Sequence, residues 1–141
     1  MVVGVGSNLR SDDAAGLRVA ESLRDQGIPG LRVVLGWTAP ENVTGEIRAL
    51  RPSAVLFVDA ADFGSPPGTL RLFDSAEAGG MSSSTHTLPL AIIARFLIEE
   101  TGCTVHFLGL QPKTVSFGET LSLEAEAGVA EAVRAIRAAL A

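Results

Sequence analysis

Short apolar segments alternate with segments of helical periodicity along this chain, and this alternation constrains the fold more than any other feature. The predicted strands occupy residues 2–5, 31–35, 54–58, 69–73 and 104–110. The predicted helices occupy residues 13–24, 41–50, 87–100 and 123–140. Strands that alternate with helices are typical of the α/β class. We therefore predict a twisted, mostly parallel, doubly wound sheet with helices on both faces, in which the segment 69–73 is an edge strand.

The composition limits the number of domains and the classes of partner. The chain has 141 residues, a length that suits one domain, so we predict a single domain over residues 1–141. Its net charge of −5 gives no electrostatic attraction to nucleic acid. The longest apolar stretch, residues 88–98, is interrupted by Pro89 and Arg95 and is too short to cross a membrane. With one cysteine and no visible signal peptide, the sequence predicts a cytoplasmic protein.

Three separated polar residues lie where predicted loops meet strands or helices. Asp13 closes the loop after the first strand, Asp59 follows the apolar run 54–58, and His86 precedes a predicted helix. In doubly wound sheets, ligands bind beyond the carboxyl ends of the strands, near the point where strand order reverses. All three side chains could therefore face one crevice. Two carboxylates and an imidazole that converge make a site for a borderline divalent metal.

Each of these residues also has a structural interpretation. Asp12 and Asp13 are adjacent, so one acid could cap the following helix while the other points into the crevice. His86 could cap the helix behind it. Asp59 is harder to explain in this way, because a carboxylate directly after an apolar strand is costly unless it is hydrogen-bonded or used. Asp62 could be its loop-capping neighbour.

Other chemical signatures in the sequence are weak. Gly4 and Gly6 follow a strand as in a dinucleotide site, but that motif requires a third glycine at position 9, where Leu9 stands. A nucleotide-binding domain therefore ranks behind the other functions. The sequence contains no Gly-x-Ser-x-Gly elbow and no His-Glu-x-x-His motif. Cys103 is predicted to be a small buried residue, and His106 to be structural or exposed.

An ordered set of motifs extends over nearly the whole chain. It comprises the glycine-containing strand and loop with Asp12-Asp13, Thr38-Ala39-Pro40-Glu41-Asn42, Val58-Asp59-Ala60, Thr85-His86-Thr87-Leu88-Pro89-Leu90, and Phe107-Leu108-Gly109-Leu110-Gln111-Pro112. This set resembles the hydrogenase maturation endopeptidases, which remove a C-terminal extension from the large subunit of nickel–iron hydrogenases. The resemblance is strongest to the branch that serves the formate-hydrogenlyase type of hydrogenase.

The resemblance implies a function for the three polar residues. Asp13, Asp59 and His86 match the family's metal-contacting positions, and we take them as the catalytic and metal-binding residues. The nickel is supplied by the substrate precursor, and no organic cofactor is implied. Carboxylate and imidazole suit nickel, and three ligands leave positions open for the precursor's thiolates. An aspartate could act as general base, as in an aspartyl protease, or the nickel could activate the water; the sequence leaves both open.

Departures from the family pattern motivate an alternative function. The family usually has Asn where Ser7 stands, and an acidic residue with glycines near Leu35 and Trp37. The alternative is a non-catalytic nickel-checking or chaperone-like binder of the hydrogenase precursor. The leading prediction is a monomeric, cytoplasmic endopeptidase that acts on the nickel-loaded precursor. The Gly/Ser-rich segment 76–84 is predicted to be a mobile loop, and its part 79–84 to adjust on docking.

Overall fold

A computed structural model describes residues 1–75, 77 and 90–141. Its strands are β1 (Val2–Val5), β2 (Val33–Trp37), β3 (Ala54–Ala60), β4 (Leu70–Asp74) and β5 (Thr104–Leu110). They form one sheet in the order β2-β1-β3-β5-β4. Every neighbouring pair is parallel except β4 and β5, which are antiparallel. The predicted edge strand is therefore confirmed as β4.

The helices of the described residues lie on both faces of this sheet. They are α1 (Ala15–Gln26), α2 (Thr44–Leu50), α3 (Leu90–Thr101) and α4 (Leu123–Leu140), and short 3-10 helices span Ser11–Ala14 and Pro40–Val43. α1 and α4 pack on one face of the sheet. α2 and α3 pack on the other face. The predicted mostly parallel α/β fold with helices on both faces is confirmed.

Strand β3 is apolar at successive positions because helices cover both of its faces. Val55 and Phe57 belong to the core beneath α2 and α3, whereas Leu56 and Val58 pack against α1 and α4. This division follows from the alternation of side chains along a strand. Phe57 also stacks on Phe107 of β5, with ring centroids 5.5 Å apart. Burial of each such large side chain stabilises the fold by about 1.5–3 kcal/mol.

Two predicted boundaries differ because pairing between strands overrides the local pattern. β3 continues to Ala60, beyond the predicted end at residue 58, since β5 lies alongside it as far as Leu110. Asp59 is therefore inside the paired strand, opposite Gly109. β2 begins at Val33 rather than at residue 31, in register with Val2 of β1.

Two helix starts differ because a 3-10 helix precedes each α-helix. The segment predicted to begin at residue 13 enters α1 through the 3-10 helix Ser11–Ala14. The segment predicted to begin at residue 41 enters α2 through Pro40–Val43. The fixed φ of Pro40 suits the first position of such a helix. The predicted spans of β5 and α4 agree with the structure.

Several predictions fall on residues that the structure does not describe. These are His86, the first residues of the predicted helix 87–100, and the predicted mobile loop 76–84 apart from Glu77. No helix within residues 1–75 and 90–141 is long and apolar enough to cross a membrane.

Candidate active site at the carboxyl edge of the sheet

The strand order places two of the predicted site residues on neighbouring parts of the sheet. From β1 the chain crosses to β2 on one side, and it later returns to β3 on the other side of β1. The carboxyl ends of β1 and β3 are therefore adjacent at the point where strand order reverses, which is where such sheets bind ligands. Asp59 lies near the end of β3, and Asp13 lies in the 3-10 helix after β1, which contacts β3 directly.

Two glycines allow the chain that carries Asp13 to lie directly on this edge. A β-carbon at Gly16 would overlap the carbonyl oxygens of Val5, the last residue of β1, and of Val58 in β3. A β-carbon at Gly6 would overlap the carbonyl oxygen of Asp13 itself, and Gly6 has a φ of 144°. Only glycine fits these positions. The start of α1 therefore lies directly against β3, the strand that carries Asp59.

Asp13 is held by the backbone of the loop that it closes. Its carboxylate is buried, with 4% of the residue exposed, and Oδ2 accepts a hydrogen bond of 2.9 Å from the Ser7 backbone N–H. The donor is a main-chain group, so the departure from the family pattern at Ser7 does not remove this contact. The Ser7 hydroxyl oxygen instead accepts from the Leu9 N–H at 3.2 Å, which closes the turn.

Asp59 is more deeply buried than Asp13. It is 1% exposed, between β1 and β5 in the middle of the sheet. Strand alternation places its side chain on the same face as Phe57, beneath α2 and α3. α3 begins on this face at Leu90, shortly after His86 in the sequence. The position of His86 lies outside the described residues, and its convergence with the two carboxylates stays a prediction.

Asp12 has a structural role that its position in the sequence did not reveal. It is fully buried, and its carboxylate accepts hydrogen bonds from the backbone N–H groups of Lys113 and Ser122 at 2.8 and 2.7 Å. The Ser122 hydroxyl donates to it at 2.7 Å. Neither Asp12 nor Asp13 caps its own helix, since the 3-10 helix Ser11–Ala14 has no side-chain cap. Asp12 instead fastens the segment 112–122 to the loop that carries Asp13.

Gln111 has a similar role for the loop that follows Asp59. It is 7% exposed, and its Oε1 accepts hydrogen bonds from the Phe63 and Ser65 N–H groups at 2.8 and 3.3 Å. Its Nε2 donates to Asp62 Oδ1 at 3.1 Å. Asp62 Oδ1 also accepts from the Gly64 N–H at 3.1 Å, so its predicted loop-capping role is confirmed. The sequence offered no signal for Gln111 beyond its place in a motif.

The backbone at this edge also contains unusual conformations. Trp37, the last residue of β2, has a φ of 53°, and Ser11 has a φ of 51°. Positive φ is uncommon for residues other than glycine, and for a bulky side chain it carries a conformational cost. Trp37 stands in the region where the resembled family usually has glycines. Trp37 has a positive φ although it is not a glycine, and its carbonyl accepts a hydrogen bond of 2.8 Å from the Gly6 N–H.

The chemistry available at this edge is that of two buried carboxylates. Carboxylate oxygens bind divalent cations and can accept a proton from water. Within residues 1–75, 77 and 90–141, no three His, Cys, Asp or Glu side chains are grouped so that they could hold a metal ion. Cys103 is buried in the core beneath α3, as predicted. His106 is exposed on β5.

The sequence matches a known protein family. The sequence profile of the hydrogenase maturation protease family matches residues 17–140, a span that contains Asp59 and His86 and begins after Asp13. The chain is 40% identical over 114 residues to the hydrogenase 3 maturation protease of Escherichia coli K12, covering 80% of this chain and 72% of that protein.

Solved structures agree with the sequence match. The solution structure of the endopeptidase HycI from Escherichia coli matches with a TM-score of 0.89 and 32% identity, over 100% of this chain and 90% of that one. The crystal structure of the [NiFe] hydrogenase maturation protease HycI from Thermococcus kodakarensis matches with a TM-score of 0.87 and 33% identity, over 96% and 87% of the two chains.

The fold places two buried carboxylates at the topological switch point of an α/β sheet, and the matches identify this class of protein as proteases. Within that class, the chain belongs to the hydrogenase maturation protease family, and it is a peptidase.

Proposed function

We propose that this peptidase removes the C-terminal extension of a nickel-loaded [NiFe] hydrogenase large-subunit precursor, and that it recognises the nickel through Asp13, Asp59 and His86. The observation that carries the proposal is the pair of buried carboxylates at the carboxyl edge, with Asp13 4% and Asp59 1% exposed. The family name supplies the class of substrate, a hydrogenase undergoing maturation.

Burial makes these carboxylates effective partners for a cation. A charge interaction grows as the surroundings become less polar, so a dication that reached Asp13 and Asp59 would bind more strongly than at exposed acids. Nickel accepts carboxylate and imidazole ligands, and a protein site of three leaves positions open for thiolates of the precursor. The nickel is therefore part of the substrate: it arrives with the precursor and is not a resident cofactor of this chain.

The three side chains would both test and position the precursor. Contact with the nickel holds the scissile peptide against the carboxyl edge and replaces a random encounter with a fixed geometry. A nickel beside the peptide bond polarises the carbonyl or a water molecule. A carboxylate that is not occupied by the metal can accept the proton of the attacking water. A precursor without nickel lacks the central contact and is left uncut.

The first experiment compares two forms of one substrate. The purified chain is mixed with a nickel-loaded large-subunit precursor and with its nickel-free form, and the masses are followed by mass spectrometry. We expect loss of a C-terminal peptide from the loaded form alone. Cleavage of both forms would refute nickel recognition. Binding of the loaded form without any loss of mass would favour the non-catalytic binder that checks nickel.

Substitutions then test the residues. Asp59→Asn keeps the size of the side chain and removes its charge, so we expect cleavage to fall by a factor on the order of 1,000 while the fold is retained. Asp25→Asn is the matched control, since the Asp25 side chain is 75% exposed on α1, and it should cleave normally. Circular dichroism and thermal unfolding verify the fold of both variants. Normal processing by Asp59→Asn would refute the site.

We also propose that the chain acts as a monomer in the cytoplasm. The proposed site is formed by residues of one chain, so a second copy is not required to complete it. Sedimentation of the purified chain tests this directly, and a stable dimer at working concentrations would contradict it. Fractionation of producing cells tests the location.

A further inference from the structure

Large apolar side chains are exposed at the same edge of the sheet as the buried carboxylates. They are Leu9 after β1, Trp37 at the end of β2, and Phe117 and Leu123 after β5; we call these four residues the apolar rim. Their exposed fractions are 47%, 44%, 85% and 79%, and the last two are the highest among the large apolar residues that the structure describes. In the strand order, β3 with Asp59 lies between the strands that lead to Leu9 and to Phe117.

The segment that presents Phe117 is held in place by hydrogen bonds on both sides of it. The Ser11 hydroxyl donates to the Ser116 carbonyl oxygen at 2.8 Å, and the Gly118 N–H donates to the Leu9 carbonyl oxygen at 2.9 Å. Asp12 fixes both ends of the same segment through Lys113 and Ser122. An exposed phenylalanine on a fixed backbone contributes little to the fold. It is already ordered for contact with another molecule, which lowers the entropic cost of binding.

Trp37 gives an independent indication of the same role. Its indole is carried on a backbone with a φ of 53°, a conformation that glycine or asparagine would adopt at lower cost. Nearly half of the residue is exposed, so burial in this chain recovers only part of that cost. Strained positions of this kind persist at functional sites. Aromatic side chains, Phe included, are enriched in protein interfaces, and Trp is among the residues that most often dominate the binding energy.

We propose that the apolar rim is the docking surface for the precursor, and that it binds apolar side chains of the precursor polypeptide that flank the bond to be cut. This inference rests on the proposed function, because it takes the substrate from there and adds the surface that holds it. A polypeptide is favoured because the rim lies at the same edge of the sheet as the carboxylates that would contact the cleavage region. Apolar contacts made equally before and during cleavage would set the Michaelis constant rather than the rate of the chemical step.

Substitutions at two rim positions test the proposal through KM and kcat. Phe117→Ala and Trp37→Gly should each raise KM for the nickel-loaded precursor about 10- to 30-fold while kcat stays within about twofold. Trp37→Gly should not lower the temperature of thermal unfolding, because glycine relaxes the positive φ. A merely structural tryptophan would give the opposite result, with a lower unfolding temperature and an unchanged KM.

The matched control is an apolar residue that is similarly exposed to solvent but lies on β4, away from the apolar rim. Leu72 on β4 is 61% exposed, and Leu72→Ala should leave KM within about twofold of the wild-type value. An unchanged KM in both rim variants, with a wild type that cuts the precursor, would refute the docking surface and leave the proposed function standing. A wild type that neither binds nor cuts the precursor would refute the proposed function, and the docking surface with it. If the rim joined two copies of this chain, wild type would sediment as a dimer, Phe117→Ala as a monomer, and the proposal would fail.

Discussion

The carboxyl edge of the sheet and the groove beside α4 both expose apolar side chains, yet they differ in what lies beneath them. The groove has a volume of about 590 Å³ and follows β3, β5 and β4 along the α4 side of the sheet, reaching from Met1 to Leu140. Its lining is aliphatic apart from Arg71 and His106. The carboxyl edge, where the apolar rim lies, also holds the buried carboxylates of Asp13 and Asp59 and the structural Asp12.

The comparison shows which kind of exposed apolar surface indicates a functional site. Apolar area alone is ordinary on protein surfaces, and the groove offers little beyond it. Buried carboxylates are uncommon, because each must be compensated by hydrogen bonds or charge. Many of the long-range side-chain hydrogen bonds of the described residues are at the carboxyl edge, where they hold the loops around Asp13 and Asp59. Four substitutions test this contrast between the two regions.

The largest effect on stability is expected at Asp12. Asp12→Ala removes the acceptor of three partly buried hydrogen bonds, from the Lys113 N–H, the Ser122 N–H and the Ser122 hydroxyl. Hydrogen bonds to a charged group contribute about 1.5–3 kcal/mol each, so the free energy of unfolding should fall by about 3–5 kcal/mol. Urea unfolding measures the change. Asp25→Ala, on the exposed face of α1, should stay within about 0.5 kcal/mol of wild type. Equal stabilities for the two variants would show that the hydrogen bonds of Asp12 to Lys113 and Ser122 do not stabilise the fold.

A smaller loss is expected where α1 begins on the carboxyl edge. In Gly16→Ala the new methyl group overlaps the Val5 and Val58 carbonyl oxygens, so overpacking should cost about 2–3 kcal/mol and displace Asp13 from β3. Gly45→Ala is the control within α2, where a β-carbon meets nothing within 4 Å, and it should stabilise the chain by about 0.5–1 kcal/mol. Thermal unfolding compares them, and a shift of the same sign in both would contradict the proposed close packing.

Gln111 should show a more local effect. Gln111→Ala removes the acceptor of the Phe63 and Ser65 N–H groups, and we expect a loss of about 2 kcal/mol with faster hydrogen exchange at those two amides. Gln26→Ala, which removes only an exposed contact with Ser22, should change neither quantity. Unaltered protection at Phe63 in the Gln111 variant would argue that the loop after β3 is held by other contacts.

The smallest effect is expected in the groove. Leu72 is 61% exposed, so Leu72→Ser should change the free energy of unfolding by less than about 0.5 kcal/mol and leave cleavage of the precursor unaltered. Urea unfolding and the cleavage assay measure the two quantities. A large loss of cleavage in Leu72→Ser would overturn the contrast, because it would give the groove a part in substrate binding.

Local patterns predicted the elements of the fold but not the contacts that join distant parts of the chain. The apolar runs and helical periodicities were sufficient for β5 and α4, whose spans agree with the structure. The extension of β3 through Asp59 depends on the presence of β5 alongside it, which no local pattern contains. The structure places Asp13 and Asp59 at the carboxyl edge, in line with their positions after β1 and in β3, whereas their catalytic and metal-binding roles stay predictions.

The roles of Asp12 and Trp37 lay beyond the reach of the sequence for different reasons. The partners of Asp12 are about 100 positions away along the chain, so its adjacency to Asp13 predicted only a choice between capping and chemistry. Trp37 departs from the family pattern in the sequence, but its positive φ is a property of the folded backbone that the sequence does not show. The placement of His86 remains a prediction.

The hydrogen bonds of Asp12 to Lys113 and Ser122 also determine when the carboxyl edge can form during synthesis. Lys113 and Ser122 lie 101 and 110 residues after Asp12 in the chain, so they leave the ribosome well after it. The loop of Asp13 therefore cannot take its final position on a growing chain, because its anchor has not yet been synthesised. A nascent chain can pair β1, β2 and β3 early, but the hydrogen bonds that complete the carboxyl edge can form only after Ser122 has emerged.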